Sequence, residues 1–377
     1  MRILILSWLS SLLLMERVSA QDFQYSQPYS IPLYTNPAFT GNGMIDCENS
    51  EKWNQKENFR ASVQHRNQWF GGPAGNYNSG LVAVEYSRGR VARKKVGNLI
   101  WSFGSFVNND YLSNAQLNSL YAGVTVSADV PLGDDNQSLK FGYQLAGGNR
   151  SISKNNFDWA DEFNGAGFNY NSTAEVPAKG NNKFYGDFGS IGGLYGSKHF
   201  FLGAAWHHIS KPNISMWDGN ERLNQKLSIQ GGIIISPKKT IFGNSIKQRS
   251  RIFILSTFKK QSGSQQWDFG AFIQHSRKNW SQRQLILGCW YRGFPIRQAP
   301  DQFVQNDAIV ISVGYKFYNL NINYSYDQSI SRSYVFGKTM EISVSYQYTD
   351  NLCTSRSGRP KRTIVCPGGS GLYPWKN

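Results

Sequence analysis

Acidic residues are scarce in this chain: 24 Asp+Glu stand against 40 Lys+Arg, a formal charge of +16 over 377 residues. Charged residues of both signs reach only 17%, below the usual quarter. That shortage excludes a coiled coil or helical bundle and argues against an ordinary cytosolic enzyme. Cysteine is sparse as well. Cys47, Cys289, Cys353 and Cys366 are too few for a disulfide scaffold and lack paired metal-ligand spacing. After Ala20 no apolar run approaches the roughly 20 residues of a membrane-crossing helix, and helical periodicity is almost absent from residue 58 onward. No HExxH or CxxC occurs, and no spacing singles out a Ser-His-Asp set. His207 and His208, adjacent on an expected strand, should point to opposite faces and so could not share a metal. Neither an enzyme nor a metal or other cofactor is expected, and no nucleic-acid-binding module is present.

What the sequence has is aromatics at 14%, 37 glycines and β-branched residues along its whole length, which excludes disorder. Residues 1–20 read as a secretory signal peptide: Arg2, an apolar stretch from Ile3 to Met15, then the small residues of Val18-Ser19-Ala20. The mature chain alternates with period two. Met340, Ile342, Val344, Tyr346 and Tyr348 share one face, and Glu341, Ser343, Ser345 and Gln347 the other. Leu120, Val124 and Val126 alternate likewise with Tyr121, Thr125 and Ser127. Apolar-out and polar-in over about 10 residues is the signature of an outer-membrane barrel strand. The polar faces suit a wet lumen. About fourteen such segments are expected, beginning near Phe59, Leu81, Leu99, Leu120, Leu139, Gly186, Phe200, Leu227, Arg251, Trp267, Leu285, Ile309, Leu320 and Met340. A soluble β-sandwich is the competing reading, but so many strands usually divide into two domains.

The reading is therefore an all-β, transmembrane antiparallel β-barrel over residues 58–349, in outer-membrane lipid, with periplasmic extensions at 21–57 and 350–377. If the mature N-terminus lies in the periplasm, the longest expected connections, Asn155–Tyr185, Ser210–Lys226, Arg292–Asp307 and Gln328–Lys338, all face outside, where long loops belong. The positive excess then gathers on the periplasmic side. Its main sources there are Arg88, Arg90, Arg93, Lys94 and Lys95, with Lys238, Lys239, Lys247, Arg249 and Arg251. Such a rim can steer an acidic partner or serve as a solvated edge near anionic headgroups.

Pro28, Pro32 and Pro37 prevent a regular helix in the N-terminal extension and favour an extended path, either plugging the lumen or crossing the periplasmic mouth. In the C-terminal tail, Cys353 and Cys366 are the favoured disulfide in an oxidising periplasm, with Cys47 a competing partner. Cys289, within a strand, is expected to stay free.

The mature N-terminus, Gln21-Asp22-Phe23-Gln24-Tyr25-Ser26-Gln27-Pro28 and then Leu33-Tyr34-Thr35-Asn36-Pro37-Ala38-Phe39-Thr40-Gly41, resembles the opening of the PorP/SprF family of type IX secretion membrane proteins of Bacteroidetes. His65-Arg66-Asn67-Gln68-Trp69 resembles that family's Tyr-Arg-x-Gln-Trp segment, and Leu287-Gly288-Cys289-Trp290-Tyr291-Arg292 its Gly-x-Trp-Tyr-Arg strand. Tyr324-Ser325-Tyr326-Asp327, Glu341-Ile342-Ser343-Val344-Ser345-Tyr346 and Cys366-Pro367 follow in order. His65 departs from a usual Tyr, Cys289 from a usual small residue, and the glycine-rich end is atypical. The resemblance implies a non-enzymatic outer-membrane barrel assisting export or surface attachment of a secreted client, including large gliding adhesins, and contacting periplasmic lipoproteins of the apparatus. It makes Tyr25, Asn36, Pro37, Arg66, Gln68 and Trp69 the candidates for partner contact. The competing assignment for these six is internal: holding the N-terminal segment and girdling the rim with aromatics.

Overall fold

The computed structural model describes residues 22, 24–41, 56–72, 76–89, 100–113, 116–132, 137–152, 163–164, 167–168, 182–197, 199–216, 219–235, 249–276, 283–293, 306–330 and 338–349. The expected signal peptide and C-terminal tail fall outside these residues. So do Cys47, Cys353 and Cys366, and with them the disulfide.

Fourteen strands close into one antiparallel barrel. In chain order they are β1 (Lys56–Phe70), β2 (Tyr77–Gly89), β3 (Ile100–Leu112), β4 (Leu117–Leu132), β5 (Gln137–Ile152), β6 (Asn182–Ser197) and β7 (Phe200–His207). Then come β8 (Lys226–Ile235), β9 (Arg249–Gln261), β10 (Ser264–Ser276), β11 (Arg283–Gly293), β12 (Asn306–Phe317), β13 (Leu320–Ser329) and β14 (Lys338–Thr349). Each pairs with its chain neighbours, and β1 closes on β14 from Asn58↔Thr349 to Phe70↔Lys338. Closure removes the unpaired backbone that lipid cannot satisfy. Every one of the fourteen expected segments coincides with a strand.

Alternation places the side chains. On β4, Leu120 and Val124 face out while Tyr121, Thr125, Ser127 and Asp129 are buried. On β14, Ile342, Tyr346 and Tyr348 face out while Glu341, Ser343 and Gln347 are buried. Phe103, Phe141 and Ile311 add to the outer apolar band, each more than half exposed. Burying that band in hydrocarbon is the favourable term available to a barrel, at about 25 cal/mol per Å².

The connections after β5, β7, β11 and β13 leave from one rim, the long-loop rim, as the expected parity requires. The opposite rim is not uniformly short: the link from Ile235 to Arg249 rivals several of them.

The inner wall is less polar than simple alternation suggests. On β9 the run Ile252-Phe253-Ile254-Leu255 is apolar toward both sides, with Phe253 and Leu255 buried inward. They join Leu194, Phe201, Ile234 and Phe272 in an internal cluster with Tyr29 and Phe39 of the N-terminal segment. A second cluster gathers Leu81, Phe106 and Tyr121 around Tyr25, Ile31 and Leu33. The expected wet lumen is therefore corrected in part: the N-terminal segment occupies much of it, and these two clusters pack as a core.

Candidate functional site

The filling is the N-terminal segment itself, Asp22 and residues 24–41. Its prolines start short turns instead of imposing an uninterrupted extended path. Pro32 opens one α-turn (α1, Pro32–Thr35), and Pro37 opens a 3-10 turn to Phe39, positions where a missing N–H costs nothing. Asn36 caps the second turn: its Oδ1 accepts from Ala38 N at 2.8 Å. Its Nδ2 reaches the wall at Gly193 O, Ala204 O and Gln230 Oε1, at 3.3, 3.2 and 3.1 Å. One buried carboxamide thus ties the turn to β6, β7 and β8.

The wall makes room for that turn with glycine. A Cβ on Gly142 would lie 2.2 Å from Pro37 C and 2.3 Å from Ala38 N, and one on Gly192 would lie 2.0 Å from Asn36 Oδ1. Gly193 next door faces open space, with nothing within 4 Å. Gly142→Ala is therefore expected to destabilise the barrel by about 1–3 kcal/mol, as overpacking does, and Gly193→Ala to leave it nearly unchanged. Paired melts of the two variants in detergent check this.

The segment crosses the lumen lengthwise. At the long-loop end, Asp22 sits among His208, Lys226 and Gln261. Its carboxylate meets His208 Nε2 at 2.8 Å and takes a short bond from Lys226 Nζ, while its N–H donates to Gln261 Oε1 at 2.9 Å. The other ring nitrogen of His208 meets Asp187 Oδ2 at 2.6 Å, and Asp187 also accepts from Tyr121 and Ser210. Toward the other end, Thr40 Oγ1 donates to Thr125 Oγ1 at 2.8 Å, and Lys140 Nζ donates to Thr40 O at 2.7 Å. Gly41 N donates to Glu85 at 2.7 Å, and Glu85 is itself paired with buried Arg60.

Between these ends lies a buried ion network. Glu341 accepts from the backbone N–H of Ser26 at 2.6 Å and of Gln27 at 2.8 Å. Arg66 donates to Ser26 Oγ at 2.8 Å and stands 3.5 Å from Asp327 and 3.8 Å from Glu341. Arg292 bridges Asp268 at 3.2 Å and Asp327 at 3.1 Å and donates to Tyr25 O at 3.3 Å. Tyr25 OH bonds Asn108, and Tyr29 OH is 2.7 Å from Thr257 Oγ1.

Four of the six candidates are thus brought together inside: Tyr25, Asn36, Pro37 and Arg66 are buried and directed at the segment–wall contact. Gln68 and Trp69 stand apart, half-buried at the long-loop rim. Trp69 takes a left-handed φ of 64° at the slip in the β1–β14 register and packs 6.1 Å from Tyr77. Of the basic residues, Arg88 lies near the end of β2 and Arg249 begins β9, while Arg251 faces inward and is buried. Arg90, Arg93, Lys94, Lys95, Lys238, Lys239 and Lys247 lie outside the described residues.

Sequence reasoning missed two buried clusters: Asp22, Asp187, His208 and Lys226 at the long-loop end, and Asp268 and Glu341 in the ion network around Arg66 and Arg292. It also placed His207 and His208 on opposite faces, and the structure corrects this. β7 ends at His207 and His208 turns with φ 56°, so both rings are buried inside, 6.2 Å apart. Because both its nitrogens face carboxylates, His208 has none left to take a proton from a hydroxyl, and the cluster works as a clamp.

His208 lies one residue beyond its strand. Burial disfavours its charged form, but Asp22 and Asp187 outweigh burial and push its pKa up to about 9. Burial likewise opposes the Asp22 charge, yet His208 and Lys226 hold that carboxyl well below its usual range. The sign follows for each group. The His208 contribution is full below its unfolded value near 6.5 and lost as pH rises through about 9. The Asp22 contribution is full above 3.8 and lost only as pH falls through its lowered value. A spin label at Gln24→Cys is expected to become more mobile as pH rises through about 9, and His208→Gln should abolish that step.

A family model described as type IX secretion system membrane protein PorP/SprF matches residues 17–346, from before the segment to near the end of β14. The chain belongs to the PorP/SprF family. It is an outer-membrane β-barrel of that secretion-system family, which is not a known enzyme family. No curated protein matches it. Among solved structures it is similar to a Pseudomonas aeruginosa FadL homologue, at 11% identity and TM-score 0.42, covering 87% of this chain and 98% of that one. It is also similar to the TodX deltaS2S3 mutant monoaromatic hydrocarbon channel, at 11% identity and TM-score 0.43, covering 88% and 95%. CdiB from Acinetobacter baumannii follows at 8% identity and TM-score 0.41, covering 78% and 60%. Likeness at this level carries no argument about function.

Proposed function

We propose that this PorP/SprF barrel is a non-enzymatic adaptor that assists export or surface attachment of a secreted, adhesin-like client and docks periplasmic lipoproteins of the secretion apparatus. In this reading the long-loop rim faces outside and holds the client. The opposite rim, with the basic residues around Arg88 and Arg249, faces the periplasm. The observation that carries it is the occupied lumen: a segment bonded to the wall from Asp22 to Gly41 favours a scaffold over a solute conduit. A porin-like channel, the competing reading, needs that segment to leave.

Two measurements test the adaptor. Deleting the gene should remove one secreted protein from the cell surface while general outer-membrane permeability stays unchanged. Normal display of every surface protein in the deletion strain would count against the adaptor, and altered uptake of small solutes would favour the channel.

A further inference from the structure

Where Asp22 and Gln24 approach the wall, the segment does not fill the barrel. A cavity of about 660 Å³ of empty space, part of it open to solvent, lies between the segment and strands β1, β2, β8, β9 and β10. Ser264 in its lining begins β10, directly after the shortest connection of the long-loop rim. Ile31 and Leu81 supply apolar wall, both almost fully buried.

The polar atoms around this space fall into two sets. The charges are matched within the protein: Lys226 pairs with Asp22, and Lys259 stands 3.5 Å from Asp268. The neutral groups are not all matched. Gln266 is 2% exposed, and its Oε1 has no hydrogen-bond partner. The Gln24 carboxamide and the Ser264 hydroxyl make no hydrogen bond among the described residues. A buried acceptor left unpaired is costly enough to be rare, and the side chain that carries it lines the cavity beside two neutral groups with no hydrogen bond among the described residues. Matched charges disfavour an ion as ligand, while an apolar wall with a few convergent neutral donors and acceptors is the pattern of a recognition pocket. A sugar would need an open aromatic face, but Tyr34 is covered by Lys226 at 5.6 Å and by the edge of Tyr25 at 6.1 Å.

We infer that this cavity binds one apolar side chain of an extended peptide, with the flanking peptide groups pairing with Gln24, Ser264 and Gln266. The inference rests on the adaptor reading and specifies its client: a chain that presents an uncharged, extended segment with an exposed apolar residue to the long-loop rim.

The probe is N-acetyl-leucinamide, titrated by saturation-transfer NMR against the purified full-length barrel in detergent, with methyl glucoside as the saccharide counterpart. Saturable binding of N-acetyl-leucinamide is expected, with none for the glucoside. Gln266→Leu and Ser264→Trp should each weaken binding about tenfold, the scale of one lost neutral hydrogen bond, with heat-modifiable gel mobility confirming that both variants fold. No saturable binding, preference for the glucoside, or undiminished affinity in both variants overturns the inference. In cells, client display that persists in Ser264→Trp but fails on gene deletion would remove this pocket and leave the adaptor standing.

Discussion

Removing residues 22–41 is expected to convert a silent barrel into a conducting one. The full-length protein in a planar bilayer should show a quiet baseline, and the deletion variant steady open current in nearly every insertion. The wall has fourteen strands, more than the roughly 8 at which side chains alone fill the interior, so the segment supplies the closure. Leu33 and Phe39 are fully buried against the wall, and each such side chain contributes roughly 1.5–3 kcal/mol. The deletion should therefore lower thermal stability as well as open the pore. Current of equal size in the full-length protein would mean that the segment does not close the lumen.

The second large effect is expected at Arg292. Its side chain, 3% exposed, stands between Asp268 and Asp327 and holds the Tyr25 carbonyl. Arg292→Met removes the nearer cation from both buried carboxylates, leaving Asp268 with Lys259 and Asp327 with Arg66, each 3.5 Å away. Breaking a buried pair from one side costs about 3–5 kcal/mol, because the remaining charge stays desolvated. Unfolding in urea from lipid vesicles should show a loss of that size near neutral pH. Arg292→Lys, which keeps the charge without the planar fork, should recover part of the loss. An Arg292→Met variant as stable as the parent would mean that the network leaves the segment unanchored.

The strands were legible because lipid and lumen demand opposite side chains on alternate residues, a pattern the sequence itself carries in Leu120–Ser127 and Met340–Tyr348. The occupied lumen was legible only in fragments. The prolines pointed to an extended segment in the lumen or across its mouth, but nothing local says that Gly142 and Gly192 clear space for a turn at Asn36-Pro37 from two different strands. The apolar inner wall had a signal in the unbroken Ile252–Leu255 run, which cannot alternate and so has to be dry on both sides. His208 was misplaced because a strand was extended one residue too far, and a single left-handed φ reverses a side chain.

The alternation and the order of the family motifs follow from the chain alone, because each depends on neighbours a few residues apart and on the solvent each face meets. Which charges meet depended on tertiary structure. Asp22 finds His208 and Lys226, and Ser26 finds Glu341, only because closing the sheet brings residues from opposite ends of the sequence around one shared interior. No local pattern encodes such pairings, since their energy exists only when the cylinder is shut and water is excluded from it.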